Sequence, residues 1–91
     1  MSGEMWCFQN AVFAHWNGGI TVFGFAYQIS AGIESGTGHH TKVHEAWLEA
    51  THLYFQGTDG HTYQVLSRVQ ADFSDATDAY DDVLRMAGGD A

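Results

Sequence analysis

The sequence predicts an α+β fold, a four-stranded antiparallel β-meander with one C-terminal α-helix packed on its aromatic face. Three observations carry that expectation. Asn17-Gly18-Gly19 separates two long apolar runs, further alternating runs follow between turn-forming clusters, and an amphipathic stretch begins at Ser74 and stops at Gly88-Gly89.

An Asn-Gly pair between apolar runs favours a type I′ turn, which needs positive φ at both central residues and whose twist matches that of the strands. With Asn17 and Gly18 in those places, Trp16 faces Gly19, Val12 faces Phe23, Phe8 faces Tyr27 and Trp6 faces Ile29. Side chains alternate along a strand, so this register gathers Trp6, Phe8, Val12, Trp16, Phe23, Phe25, Tyr27 and Ile29 on one face, the expected core. The second face sets Cys7, Gln9, Ala11, Phe13 and His15 against Ile20, Val22, Gly24, Ala26 and Gln28. It is smaller in side chain but still not polar, so both sides of the sheet need cover.

The glycine-rich stretch 32–40 lacks the Gly-Lys-Ser/Thr ending of a phosphate loop and reads as a hairpin tip. Residues 41–56 fit helical spacing in part, but nothing stops a helix before Leu53-Tyr54-Phe55, and a long third strand is expected. A loop centred near Gly36 sets Phe25 beside Trp47. That strand adds Val43, Trp47, Leu53 and Phe55 to the aromatic face, and Ala46, Leu48 and Tyr54 to the second. After the turn Gly57-Thr58-Asp59-Gly60, a fourth strand over 61–70 gives Leu66 to the first face and Tyr63 and Val65 to the second.

Ser74 suits a helix N-cap, and Asp75 and Asp78 suit the positive end of its dipole. Ala76, Ala79, Tyr80, Val83, Leu84 and Ala87 then form one apolar stripe to lie on the aromatic face.

At 91 residues the chain reads as one domain. Its 45% hydrophobic content argues against disorder, and no apolar run is long enough for a membrane helix. Eleven acidic residues against three basic ones give a formal charge of −8, which repels phosphate backbones and excludes direct nucleic-acid binding. The same field attracts a protein partner with a basic surface. A single cysteine, Cys7, and the lack of a basic leader point to a reducing, cytoplasmic setting. Cys7 reads as a small buried residue rather than a nucleophile.

Six histidines invite a metal reading, but Glu45 and Glu49 project away from His44 on a strand, and no metal site or cofactor is expected. His15 and His52 fall too far apart on the second face to share a proton. No serine, cysteine or aspartate completes a triad with either, so no catalytic residues are assigned and the chain is not expected to be an enzyme.

The expected function is therefore that of a non-enzymatic interaction protein. Asp72, Asp75, Asp78, Asp81 and Asp82 form an acidic row that imitates the charge pattern of a nucleic-acid backbone, inhibiting or regulating a nucleic-acid-handling partner. Arg68 is a candidate partner for Glu49. The second face, with Phe13, Val22, Gly24, Ala26, Ala46, Leu48, Tyr54 and Tyr63, is expected to bind another copy in a homodimer or to bind the target. The alternative is a small-ligand or catalytic module using His15, His52, Tyr54 and Tyr63. In size and charge the chain is similar to phage-encoded inhibitors of host defence, anti-CRISPR proteins among them, although no residue motif carries that likeness.

Overall fold

Alternating apolar residues bury one side of each strand, and the direction in which the sheet curls decides which side that is. A computed structural model describes residues 5–16, 18–69 and 74–88, with 74–78 as backbone only. Among the described residues five strands form instead of four: β1 (Met5–Trp16), β2 (Gly19–Gln28), β3 (Thr37–Glu49), β4 (His52–Gly57) and β5 (Thr62–Val65), followed by α1 (Ser74–Met86). Each strand pairs antiparallel with the next. A meander with an odd number of strands brings the last one back in the direction of the first, so closure has to be parallel. β5 pairs in this way with β1, Met5 opposite Thr62 and Phe8 opposite Val65, and the sheet is a closed barrel.

The additional strand arises at Ala50-Thr51. The third strand expected over 41–56 is strand on either side of these two residues, where the chain folds back so that Glu49 faces His52 and Trp47 faces Tyr54. Ala50 carries a φ of 56°, a left-handed conformation costly for a residue with a Cβ.

Near its turn the first hairpin has the predicted register, Val12 with Phe23 and Trp16 with Gly19; Asn17 itself lies outside the described residues. Farther along, Asn10 and Ala11 together oppose Gly24, a β-bulge that slips the pairing by one residue. Phe8 consequently faces Ala26 rather than Tyr27, and Trp6 faces Gln28 rather than Ile29. Asn10 has a φ of 56°. A Cβ on Gly24 would stand 2.9 Å from the Gln9 carbonyl oxygen and 3.1 Å from that of Asn10, so only glycine fits against the bulge.

The bulge also redirects the backbone of β1 toward the seam. The Ala11 N–H donates to the Ser67 carbonyl and the Val69 N–H to the Ala11 carbonyl, both at 2.9 Å, while the Asn10 N–H donates to Ser67 Oγ at 2.9 Å. The β2–β3 register is corrected too: Phe25 faces Gly38, not Trp47. Stretch 29–35 folds into two short 3-10 turns, Ile29–Ala31 and Ile33–Ser35, and β3 begins as early as Thr37. Gly36 lies against the Phe25 ring, where a side chain would collide.

The predicted core is inverted. The interior holds Phe8, Ala11, Phe13, Val22, Ala26, Ala46, Leu53, Phe55, Tyr63 and Val65, joined by Ala79 and Val83 of α1. Most of these belong to the second face, and the helix packs there and not on the aromatic face. A narrow barrel accepts alternating small and large side chains inside, which Ala11, Ala26 and Ala46 between phenylalanines provide. Trp16, 52% exposed, and the half-buried Phe23, Phe25, Tyr27 and Trp47 remain outside. β3 pairs with β2 through residues 37–42 and with β4 from Val43 onward, and α1 packs against both β1 and β3. Tyr80 meets Phe13 edge-on at 5.2 Å, and the Arg68 guanidinium lies 4.0 Å over the Tyr80 ring. None of the described helices is long and apolar enough to cross a membrane.

Chemical denaturation tests this inversion. Phe13→Ala is expected to cost ~3 to 5 kcal/mol and Trp47→Ala less than about 1.5 kcal/mol; the reverse order would return the core to the aromatic face. Gly24→Ala should cost ~1 to 3 kcal/mol through backbone overlap, whereas Ala50→Gly should be neutral or stabilising by up to ~1 kcal/mol.

Candidate functional site

Three groups of functional side chains stand out, one at the end of the barrel, one beside the helix and one outside β3 and β4. The first is built on the turn between β4 and β5. Gly57 is buried there, and a Cβ on it would stand 2.6 Å from Thr41 Oγ1 and 2.7 Å from Asp59 Oδ1. The turn closes with the Gly60 N–H donating to the Gly57 carbonyl at 3.0 Å, and with the His61 N–H donating to Asp59 Oδ1 at 3.0 Å. This leaves Asp59 Oδ2 directed at the barrel end. The Tyr63 hydroxyl donates to it at 2.6 Å. His39 Nε2 lies 2.9 Å from the Tyr63 oxygen and 3.2 Å from Asp59 Oδ2, so an N–H there serves both acceptors.

The Trp6 ring lies 4.9 Å from His61, 6.3 Å from His39 and 6.1 Å from Tyr63, covering this cluster. Burial, and then the Asp59 charge, raise the Tyr63 phenol far above its ordinary value. Burial by itself would raise Asp59, but hydrogen bonds from Tyr63, the His61 backbone and His39 outweigh it and hold the carboxyl below the usual range. A protonated phenol and a hydrogen-bonded carboxylate anchor the turn. Burial likewise pushes the Cys7 thiol up, against an opposing hydrogen bond with Tyr27, in keeping with a buried, unreactive sulfur.

The second group ties α1 to β1. Asp82 Oδ2 lies 2.9 Å from His15 Nε2, and Asp82 Oδ1 accepts from Arg85 Nη1. The hydrogen bond from His15, against a smaller opposing desolvation, and then Arg85 hold the Asp82 carboxyl below its ordinary value. Of the predicted acidic row, Asp82 is thus engaged within the chain and Asp81 is exposed. Asp72 and the side chains of Asp75 and Asp78 lie outside the described residues.

The third group is the outer side of the β3–β4 hairpin. Glu45, Trp47 and Glu49 alternate along β3 opposite Gln56, Tyr54 and His52. Trp47 and Tyr54 stack with centroids 6.0 Å apart and planes 7° from parallel. Arg68, expected beside Glu49, is instead over Tyr80.

The structure divides the predicted dimer or target face. Phe13, Val22, Ala26, Ala46 and Tyr63 are interior, Gly24 backs the bulge, Leu48 is 45% exposed, and Tyr54 lies on the outer side. Five of the eight residues on which the sequence reading places a homodimer or target contact are therefore covered by the chain's own strands and helix. Nor do His15, His52, Tyr54 and Tyr63 converge: His15 meets α1, Tyr63 meets Asp59, and His52 and Tyr54 face outward. Among the described residues no three His, Cys, Asp or Glu side chains are placed to hold a metal. His39 turns to Tyr63 while His40 packs on Phe23. The His39–Asp59–Tyr63 cluster was missed because its members come from three elements. Only the Asp-Gly turn signal at Asp59 was visible.

Removing one member tests its anchoring role. Tyr63→Phe is expected to cost roughly 1 to 2 kcal/mol at neutral pH. Because the folded-state pKa of Asp59 is depressed, its stabilisation is present above the unfolded value of about 3.9 and is lost as pH falls through the folded value. The stability gap between the native chain and Asp59→Asn should therefore narrow as pH drops below ~4, as read by denaturation at stepped pH; a constant gap would contradict the geometry. No family model, no curated protein and no solved structure matches the chain.

Proposed function

We propose that the chain is a small acidic, non-enzymatic interaction protein that inhibits or regulates a nucleic-acid-handling partner through a basic surface on that partner. The observation that carries this reading is the charge imbalance left on the outside. Of eleven acidic and three basic residues, Arg85 is spent on Asp82 and Arg68 lies over Tyr80, while Glu34, Glu45, Glu49 and Asp81 are exposed. The barrel interior is filled by phenylalanine, tyrosine, valine and alanine side chains, which favours contact through the outer surface over enclosure of a ligand. In this reading the protein works in the cytoplasm, where a lone buried thiol stays reduced.

Salt provides the test. A partner captured from the native host's lysate should be a nucleic-acid-handling protein, and its binding to the purified chain should collapse between low and moderate ionic strength. Affinity that stays level across that range would rule out the acidic-contact reading, because exposed charges are screened within about 10 Å at 0.1 M salt.

A further inference from the structure

The proposed function leaves open which part of the acidic surface meets the partner. We propose that the outer face of the β3–β4 hairpin is the docking surface, and that it takes an arginine side chain of the basic partner, its guanidinium stacked on Trp47 and Tyr54 and paired with Glu45 or Glu49. The inference rests on the acidic-contact reading and assigns it a place.

Register supplies the first argument. Ala46, Leu53 and Phe55 are buried, so the residues alternating with them, Glu45, Trp47 and Glu49 on β3 and Tyr54 on β4, all stand outward. Same-side neighbours on a strand are about 6.5 to 7 Å apart, so a carboxylate flanks the aromatic pair at each end. The rings are half-buried and nearly parallel, which leaves apolar π-surface in water on an otherwise charged hairpin.

Charge supplies the second. Glu45 and Glu49 are exposed and form no ion pair with a described residue, while Asp82, the comparable acid on the helix, already holds His15 and Arg85. A planar guanidinium can stack on a ring and still direct in-plane N–H groups to a carboxylate, which a lysine ammonium cannot match. The protein itself contains such a stack, Arg68 over Tyr80 at 4.0 Å.

The probe is an octapeptide of alternating arginine and serine, titrated at low salt into isotopically labelled full-length protein and followed by NMR. The expected result is a shift of the Trp47 indole N–H signal with that of Trp6 unmoved. Glu45→Gln with Glu49→Gln should weaken binding about tenfold, and Tyr54→Leu several-fold, while Tyr54→Phe, which keeps the ring, retains it. Replacing arginine by lysine in the peptide should also weaken it several-fold. Asp78→Asn with Asp81→Asn removes the same number of charges elsewhere and should have less than about a twofold effect. Dispersed spectra of the unliganded variants establish that each is folded. If the helix variant loses as much as the hairpin variant, and Tyr54→Leu changes nothing, the docking face is overturned while the acidic-contact reading stands. If the unmodified protein fails to bind the peptide at low salt, both are overturned.

Discussion

Strand β1 serves two neighbours at once, and the barrel depends on how it does so. Pairing with β2 on one side and with β5 on the other requires the strand to bend where its partners separate. The extra residue at Asn10 and Ala11 provides that bend, because a bulge increases local twist and re-aims the backbone. Gly24 is the matching concession on β2, where any side chain would strike the carbonyls of Gln9 and Asn10. From this junction Ala11 is hydrogen-bonded to Ser67 and Val69, which extends the seam beyond the formal end of β5. Closure in turn pairs the hydrogen-bonding edge of Met5–Phe8 with that of β5, the protection that open sheets must obtain by other means.

Much of this was legible in the residues. The first hairpin with its register near the turn, the strand character of most of 41–56 and the amphipathic C-terminal helix follow from turn chemistry and periodicity, and the stripe of Ala79, Tyr80, Val83 and Leu84 does meet the core. The errors within β1 and within 41–56 centre on two positions. Asn10 and Ala50 are the non-glycine residues of positive φ among the described residues, and each sits where the alternation of faces is reset. The bulge at Asn10 sets Phe8 on the same side as Phe13, and the two-residue turn at Ala50 sets Leu53 and Phe55 on the same side as Ala46, so these three, expected in the core, share it with residues expected on the opposite face, while Tyr54 lies outside. Alanine gives no turn signal, so a reading that carries one register through 41–56 sets Leu53 and Phe55 on the opposite side from Ala46, with which they in fact pack. Which face lies inside was not legible at all, since curvature is a property of the closed sheet and both faces are apolar enough to be cores.

Polar groups divide along the same lines. Where the chain needs to hold itself together, acids are paired: Asp59 with Tyr63 and His39, Asp82 with His15 and Arg85. These carboxylates have depressed pKa values and satisfied oxygens, and they stabilise a turn and a helix contact. Glu45 and Glu49 stand instead on an outward strand face beside aromatic rings. The distinction separates acids that serve architecture from acids free to serve recognition, which a net charge of −8 by itself does not do.

Closure by β1 and β5 joins Met5 to Thr62, and the helix contact joins His15 to Asp82, 67 positions apart. Contacts of such long sequence separation must pay their loop-closure entropy before they return any stabilisation, which places the chain among slow-folding topologies. On the ribosome the consequence is vectorial. The first hairpin emerges with Phe8, Phe13 and Val22 exposed, and neither β5 nor α1 exists yet to cover them, so the nascent chain must be kept from aggregating until those two elements have been made.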